Sequence, residues 1–222
     1  MTLRLALPDD ALREPALELL ATAGVAIDVA PVTGGATGAG GAAADEPAAV
    51  RLVVVAPADV PAYLACGAAE LGVMAKTALL EGGVGLCELL DLHFGASLLV
   101  YAAAPAAAAR GERLGQLRIA TRHPGLARSY FASRGVQVAV VEVAGELERA
   151  VRDGLADGLV TLAEASPGAG PPAQVAGLEV AGVVAEGGAR LVAGRGGRVL
   201  HAAAIGALVA RLRGALAERM PA

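Results

Sequence analysis

From end to end the chain alternates apolar runs of strand length with amphipathic runs of helix length. Leu3–Leu7, Arg51–Val55, Leu71–Met74, Ser97–Ala103, Arg118–Ala120, Val136–Val143, Gly158–Leu162, Leu178–Val184 and Ala189–Ala193 read as strands, with Val25–Val32 as a further short one. Between them Ala11–Ala23, Ala58–Cys66, Thr77–Leu80, Gly125–Ser133 and Glu146–Asp153 read as helices, and His201–Arg219 closes the chain with Leu208, Leu212 and Leu216 on one face. Such alternation predicts an α/β protein with mainly parallel sheets and a ligand site at the carboxyl ends of the strands.

Punctuation refines that order. Asp9 or Asp10 is placed to cap the first helix, and Gly24 ends it. Thr33–Ala49, a Gly/Ala stretch without apolar period, reads as a loop. Ala104–Gln116, rich in Ala, Gly, Pro and Arg, reads as a crossing into a second α/β series, and Ala163–Gly177, with three prolines and three glycines, as irregular chain. Length permits one large domain or two small ones. The expected division is residues 1–98 with 178–222 in the first lobe and 99–177 in the second.

Composition excludes several partners. A net charge of −4 offers no field for a nucleic-acid backbone, and five aromatic residues offer no stacking platform. Charge appears by Arg4 and two acids by Asp10, so the N-terminus lacks the apolar core of a signal peptide, and no apolar run reaches membrane-spanning length. Cys66 and Cys87 form no disulfide framework or metal knuckle, and read as small core residues of a cytoplasmic protein. His93 and His201 have no ligand-spaced partner. Seventeen of the eighteen basic residues are arginine, which leaves Lys76 as the one lysine.

Five blocks then point to a family. Pro57-Ala-Asp-Val-Pro-Ala-Tyr-Leu-Ala-Cys-Gly-Ala-Ala-Glu-Leu-Gly-Val-Met-Ala-Lys-Thr-Ala-Leu-Leu-Glu81 is followed by Glu88-Leu-Leu-Asp-Leu-His-Phe-Gly95 and by Leu117-Arg-Ile-Ala-Thr-Arg-His-Pro-Gly-Leu-Ala-Arg-Ser-Tyr-Phe-Ala132. Gly154-Leu-Ala-Asp-Gly-Leu-Val160 and Ala189-Arg-Leu-Val-Ala-Gly-Arg195 complete the series. In order and spacing the set resembles the short-form catalytic subunit of ATP phosphoribosyltransferase, in a divergent version. The resemblance implies two α/β lobes folded like a type II periplasmic-binding protein, an oligomer, and a histidyl-tRNA-synthetase-like regulatory subunit. It implies attack of ATP N1 on C1 of phosphoribosyl pyrophosphate, the first step of histidine biosynthesis.

That chemistry needs cations and backbone N–H groups for the phosphates, Mg²⁺ on the leaving pyrophosphate, and carboxylates beside the ribose. It needs no covalent nucleophile, so no catalytic residue is assigned, and Mg²⁺ arrives on the substrate phosphates without resident ligands. The resemblance implies a substrate-binding set of Lys76, Arg122, Asp157, Thr161, Glu164, Ser166 and Gly168. Arg122, His123 and Arg128 surround a helix start suited to an anion, and Asp157 and Glu164 flank a strand as ribose candidates. Tyr63 reads as helix packing, with adenine stacking the lesser reading.

Departures cluster at the same places. Where the family reads Leu-Pro-Lys-Gly-Arg, this chain reads Leu7-Pro8-Asp9-Asp10-Ala11. Ala56 replaces an arginine, Thr77 an aspartate, and Ala96 and Leu98 replace basic residues. The phosphoribosyl loop Asp-Leu-Val-Glu-Thr-Gly-x-Thr-Leu becomes Thr161-Leu-Ala-Glu-Ala-Ser-Pro-Gly-Ala169, keeping Glu164, while Pro167, Pro171 and Pro172 remove backbone donors near Gly168 and Gly170. Two alternatives therefore stand beside the transferase: a catalytically impaired relative serving as a structural or regulatory subunit, and a bilobal binder of another small ligand.

Overall fold

The computed structural model describes residues 2–28, 49–104, 117–164 and 170–219. Two compact units result: Met1–Gly95 with Gly188–Ala222, and Ala96–Gly187. The first is built on a six-stranded sheet, sheet A, from β1 (Leu3–Pro8), β2 (Ile27–Asp28), β3 (Val50–Val55), β4 (Leu71–Ala75), β5 (Leu86–Asp91) and β12 (Ala189–Gly194), in the order β2-β3-β1-β4-β12-β5. The second holds sheet B, from β6 (Ser97–Ala103), β7 (Leu117–Thr121), β8 (Val138–Glu142), β9 (Gly158–Glu164), β10 (Gln174–Val175) and β11 (Leu178–Glu186), in the order β10-β11-β6-β9-β7-β8.

Strand periodicity builds each core. Leu3, Leu5 and Leu7 face α1 (Arg13–Thr22) and the terminal helix α7 (Ala202–Arg219), meeting Leu19, Leu20, Leu208 and Leu212. Ala6, on the alternate face, packs with Met74 and Val192 under Val60 and Leu64 of α2 (Val60–Ala65). Each fully buried leucine contributes about 1.5–3 kcal/mol relative to exposure. Sheet B repeats the scheme. Leu99, Tyr101, Ile119 and Val160 pack under α4 (Pro124–Ala132), and Ala102, Ala120 and Leu159 lie over α5 (Leu147–Arg152).

The expected α/β class and two-unit organisation are present, but the sheets are mixed. Five of the ten strand pairings among the described residues are parallel, and five are antiparallel. The strands that carry the chain between units cause this: β6 and β11 lie antiparallel to each other, as do β6 and β9, and the returning β12 opposes both β4 and β5. The same pairing moves the expected boundaries. Residues 178–186 hydrogen-bond along β6 in sheet B, so the chain returns at Gly187–Gly188, not at 178, and it leaves the first unit at Gly95–Ala96.

Local differences have local reasons. Asp10 caps a turn rather than α1: its Oδ1 accepts from Leu12 N at 2.9 Å, and the helix begins at Arg13 without a side-chain cap. Arg195–Leu200 forms a short helix, α6, despite Gly196 and Gly197, and Gln174–Val175 forms a strand inside the stretch read as irregular. Cys66 is exposed and Cys87 half-buried, so neither is a core residue. The expected loop over 33–48 and most of the crossing, 105–116, lie outside the described residues. Among the described residues no helix is long and apolar enough to cross a membrane.

Candidate functional site

Parallel strands end together, and their carboxyl ends define one rim on each sheet. In sheet A, β4 stops at Ala75 and Lys76 begins α3 (Lys76–Gly82), its backbone N–H donating to Gly188 O at 2.8 Å. That bond ties the turn to the start of β12, and register then places Arg190 across from Met74 and Asp91. A charged cluster follows. Glu88 pairs with Lys76 through one oxygen and accepts from Arg190 Nε at 3.0 Å through the other, while Arg190 Nη1 lies 2.8 Å from Asp91 Oδ1. Arg190, with only 14% of its side chain exposed, is the buried centre of this group.

Beyond β1 the rim carries Asp9 and Asp10. Asp9 N donates to Val55 O at 2.9 Å, locking the turn beside β3, and its carboxylate pairs with Arg13 at 2.9 Å. Each cation of this rim, Arg13, Lys76 and Arg190, thus already touches a carboxylate.

In sheet B, β7 ends at Thr121, which is fully buried. Its hydroxyl donates to Val160 O and accepts from His123 N, both at 2.9 Å, so the segment leading into α4 is pinned to β9. Pro124 opens that helix, with no N–H to leave unsatisfied. Arg122 is exposed and donates from Nη2 to Gly145 O at 2.9 Å, bridging the β7 and β8 exits. Pairing with β7 ends at Thr121 opposite Val160, so Thr161–Glu164 continues β9 beyond that edge while β6 still pairs it, Ser97 facing Glu164. Alternation sets Glu164 on the α4 face with Val160, and Thr161 on the opposite face with Leu159.

Arg122, Thr161 and Glu164 therefore all lie at or beyond the carboxyl end of sheet B, with Thr161 and Glu164 on opposite faces of β9, and Lys76 stands at the carboxyl end of β4 in sheet A. Asp157 does not join them. It precedes β9 and is 8% exposed, with Oδ2 accepting from Arg118 N and Nε at 3.0 and 3.1 Å and Oδ1 from Nη2 at 2.9 Å. Glu164 lies seven residue steps further along the strand, about 23 Å, more than one ribose spans. Asp157 is a structural partner of Arg118, not a ribose ligand. Ser166 and Gly168 lie outside the described residues.

Sequence reasoning missed the Glu88–Arg190–Asp91 cluster. Both blocks that supply it were visible, but its members meet only through β5–β12 pairing between segments about a hundred residues apart. His93 lies at the same rim with φ 56°, its N–H donating to Asp91 Oδ1 at 2.9 Å, and Tyr63 packs half-buried against the α2 side of the core. Among the described residues no group of three or more His, Cys, Asp or Glu is placed to hold a metal ion.

The HisG family model, ATP phosphoribosyltransferase, matches residues 56–214. The ATP phosphoribosyltransferase of Moorella thermoacetica is 40% identical over 167 residues, 72% of this chain and 71% of the relative. That of Pseudomonas paraeruginosa is 39% identical over 171 residues, 77% of this chain and 78% of the relative. Among solved structures, the ATP phosphoribosyl transferase (HisG:HisZ) complex from Thermotoga maritima aligns with a TM-score of 0.74 at 23% identity, covering 98% of this chain and all of that one. Tv2483 bound to L-arginine aligns at 0.54 and 12% identity, covering 98% of this chain and 84% of that one, a likeness of fold alone. The sequence matches are extensive enough to decide ancestry: the chain belongs to the ATP phosphoribosyltransferase family.

Proposed function

We propose that the chain transfers the phosphoribosyl group of phosphoribosyl pyrophosphate to N1 of ATP, the first step of histidine biosynthesis. Membership of this family carries the reading, and the placement of Arg122, Thr161 and Glu164 at the carboxyl end of sheet B supports it. As the C1–pyrophosphate bond weakens, positive charge grows at C1. The Glu164 carboxylate suits the ribose hydroxyls and that charge, and the Thr161 hydroxyl can donate to a phosphoryl oxygen. Arg122 uses one donor on Gly145 and keeps others for phosphate. Lys76, on its own unit, offers a point charge for a second phosphate group.

No covalent intermediate is needed; the protein's contribution is to hold the two substrates in line and exclude water. Mg²⁺, a hard ion that binds through substrate phosphates with few carboxylates, offsets charge on departing pyrophosphate. Ser166 and Gly168 belong to the same proposed phosphoribosyl loop. We place the reaction in the cytoplasm and the chain in an oligomer with a histidyl-tRNA-synthetase-like regulatory subunit, in keeping with the HisG:HisZ complex of the Thermotoga relative.

Titration calorimetry of the folded chain with phosphoribosyl pyrophosphate and Mg²⁺, then with ATP, tests the reading. Micromolar binding followed by turnover is expected; absence of heat at millimolar ligand, alone and with the regulatory subunit, overturns it. One observation favours a second reading, a catalytically impaired subunit: Asp9 takes the place of a lysine in the family pattern, and the cations of the sheet A rim are each met by an acid. A charge-assisted phosphate contact contributes about 1.5–3 kcal/mol, so several such losses oppose a micromolar affinity of about 8 kcal/mol.

A further inference from the structure

The first unit has a second concave feature at the opposite ends of β1 and β4 from Lys76. There α6 and the turn before β5 wall a cavity of about 500 Å³. Its floor is the Arg4–Glu70 ion pair and bare main chain: a Cβ at Gly67 or Gly196 would meet nothing within 4 Å. Gly194 is required by close approach, and Gly197 eases a tight one. A Cβ there would lie 2.5 Å from Leu64 O and 3.1 Å from Glu70 Cα respectively, so glycine lets α6 sit against the α2–β4 connection.

The mouth combines an exposed apolar cluster with an exposed cation. Val84 is 94% exposed and Leu200 78%, both lining the cavity, and Val199 beside them is also 78% exposed. Arg195 lines the same mouth and makes no hydrogen bond or ion pair among the described residues, while Arg198 touches the Cys87 thiol at 3.5 Å. His201 completes the wall. Large aliphatic side chains gathered at a concavity mark a contact surface, and the Arg195 guanidinium at its edge specifies the charge of what comes.

We propose that this cavity docks a segment of another polypeptide that presents an apolar side chain flanked by carboxylates. The apolar side chain enters between Val84 and Leu200, and a carboxylate beside it pairs with Arg195. A second copy of this chain fits poorly, because two-fold pairing of the mouths sets arginine against arginine. A free small anion would satisfy Arg195 but leave Val84, Val199 and Leu200 in water. Docking here leaves the carboxyl rim open to ligand, and the assignment stands independently of the transferase reading.

The test selects a displayed library of random dodecapeptides on the full chain and remeasures recovered sequences as synthetic peptides by fluorescence anisotropy. Wild type is compared with Arg195→Glu and Leu200→Glu, surface changes whose folding is checked by thermal melting. Recovered peptides should set Asp or Glu beside Leu, Ile or Phe, and each variant should weaken them by about tenfold or more. Peptides with the acids changed to lysine should lose wild type and regain Arg195→Glu. Failure to recover any binder, or binders indifferent to both variants, overturns the proposal. Displacement of the peptides by millimolar citrate that depends on Arg195 and not Leu200 also overturns it, in favour of a small-anion site.

Discussion

Arg4 and Glu70 grip each other through both side chain and main chain. Arg4 N donates to Glu70 Oε2 at 2.7 Å, the guanidinium binds both carboxylate oxygens, and Glu70 N returns a bond to Arg4 O at 3.1 Å. Arg118 and Asp157 repeat the arrangement in the second unit, with Asp157 N donating to Arg118 O at 2.8 Å. Each arginine is the second residue of its strand, each acid immediately precedes a parallel neighbour, and each guanidinium also donates to a glycine carbonyl three residues before the acid, Gly67 or Gly154. One device thus fixes the register of β1 with β4 and of β7 with β9 at their amino ends, opposite the rims.

This clamp makes stability depend on acid pH in a defined direction. Burial of Glu70 works against its charged form, but hydrogen bonds from the Arg4 side chain and backbone, with the Arg4 charge, outweigh it and hold the carboxyl below its ordinary range. A carboxyl depressed by folding contributes fully above its unfolded pKa and loses that contribution as pH falls through the folded value. Glu70→Gln should lower unfolding free energy by about 1–3 kcal/mol near neutrality. In urea titrations the gap between variant and wild type should close as pH drops below the unfolded glutamate value of about 4.3.

Asp157→Asn separates structure from binding. Because both carboxylate oxygens serve Arg118 about 23 Å along the strand from Glu164, the variant should melt lower yet keep wild-type affinity for phosphoribosyl pyrophosphate while folded. Glu164→Gln, on an exposed strand end, should do the reverse: unchanged melting and about tenfold weaker binding or more. Calorimetry and melting on the same two variants check both expectations.

Which parts of this were legible in the sequence follows from range. Leu3, Leu5 and Leu7, or Leu208, Leu212 and Leu216, declare their faces by local periodicity, so strands and helices were readable. Direction was not: β6, β11 and β12 have the same apolar runs as parallel strands, and only pairing with distant segments makes them antiparallel. Arg190 was invisible for the same reason, its partners Glu88 and Asp91 lying on another strand. Asp157 misled because an acid within a family block reads alike whether it faces substrate or pairs with an arginine of the neighbouring strand.

The three described aromatic residues of the second unit form one contact set between α4 and β6: Tyr101 and Phe131 centroids are 4.9 Å apart and Tyr130 and Phe131 5.1 Å, both edge-on. Gly182 in β11 leaves room for it, since a Cβ there would lie 2.1 Å from Tyr130 Oη. Gly182→Ala should therefore destabilise by about 1–3 kcal/mol through forced movement of Tyr130. Urea unfolding measures the loss, and near-ultraviolet circular dichroism should report the displaced rings.

Lys76 poses the sharpest question about the rim, because its ammonium is shared with Glu88 before any ligand arrives. If phosphate binds there, it must compete with that carboxylate, and removing the competitor should help. Lys76→Ala should weaken pyrophosphate binding by about tenfold or more, the size of a lost charge-assisted contact. Glu88→Gln should instead strengthen it by roughly two- to fivefold, since the pair is partly exposed and screened, with Arg190 still held by Asp91 at 2.8 Å. The gain should shrink as salt is raised, because like the pair itself it is screened coulombic energy. Calorimetry with pyrophosphate and Mg²⁺ at low and high salt reads all of this. A Glu88→Gln variant that binds more weakly than wild type would mean that the carboxylate orients Lys76 more than it competes with phosphate.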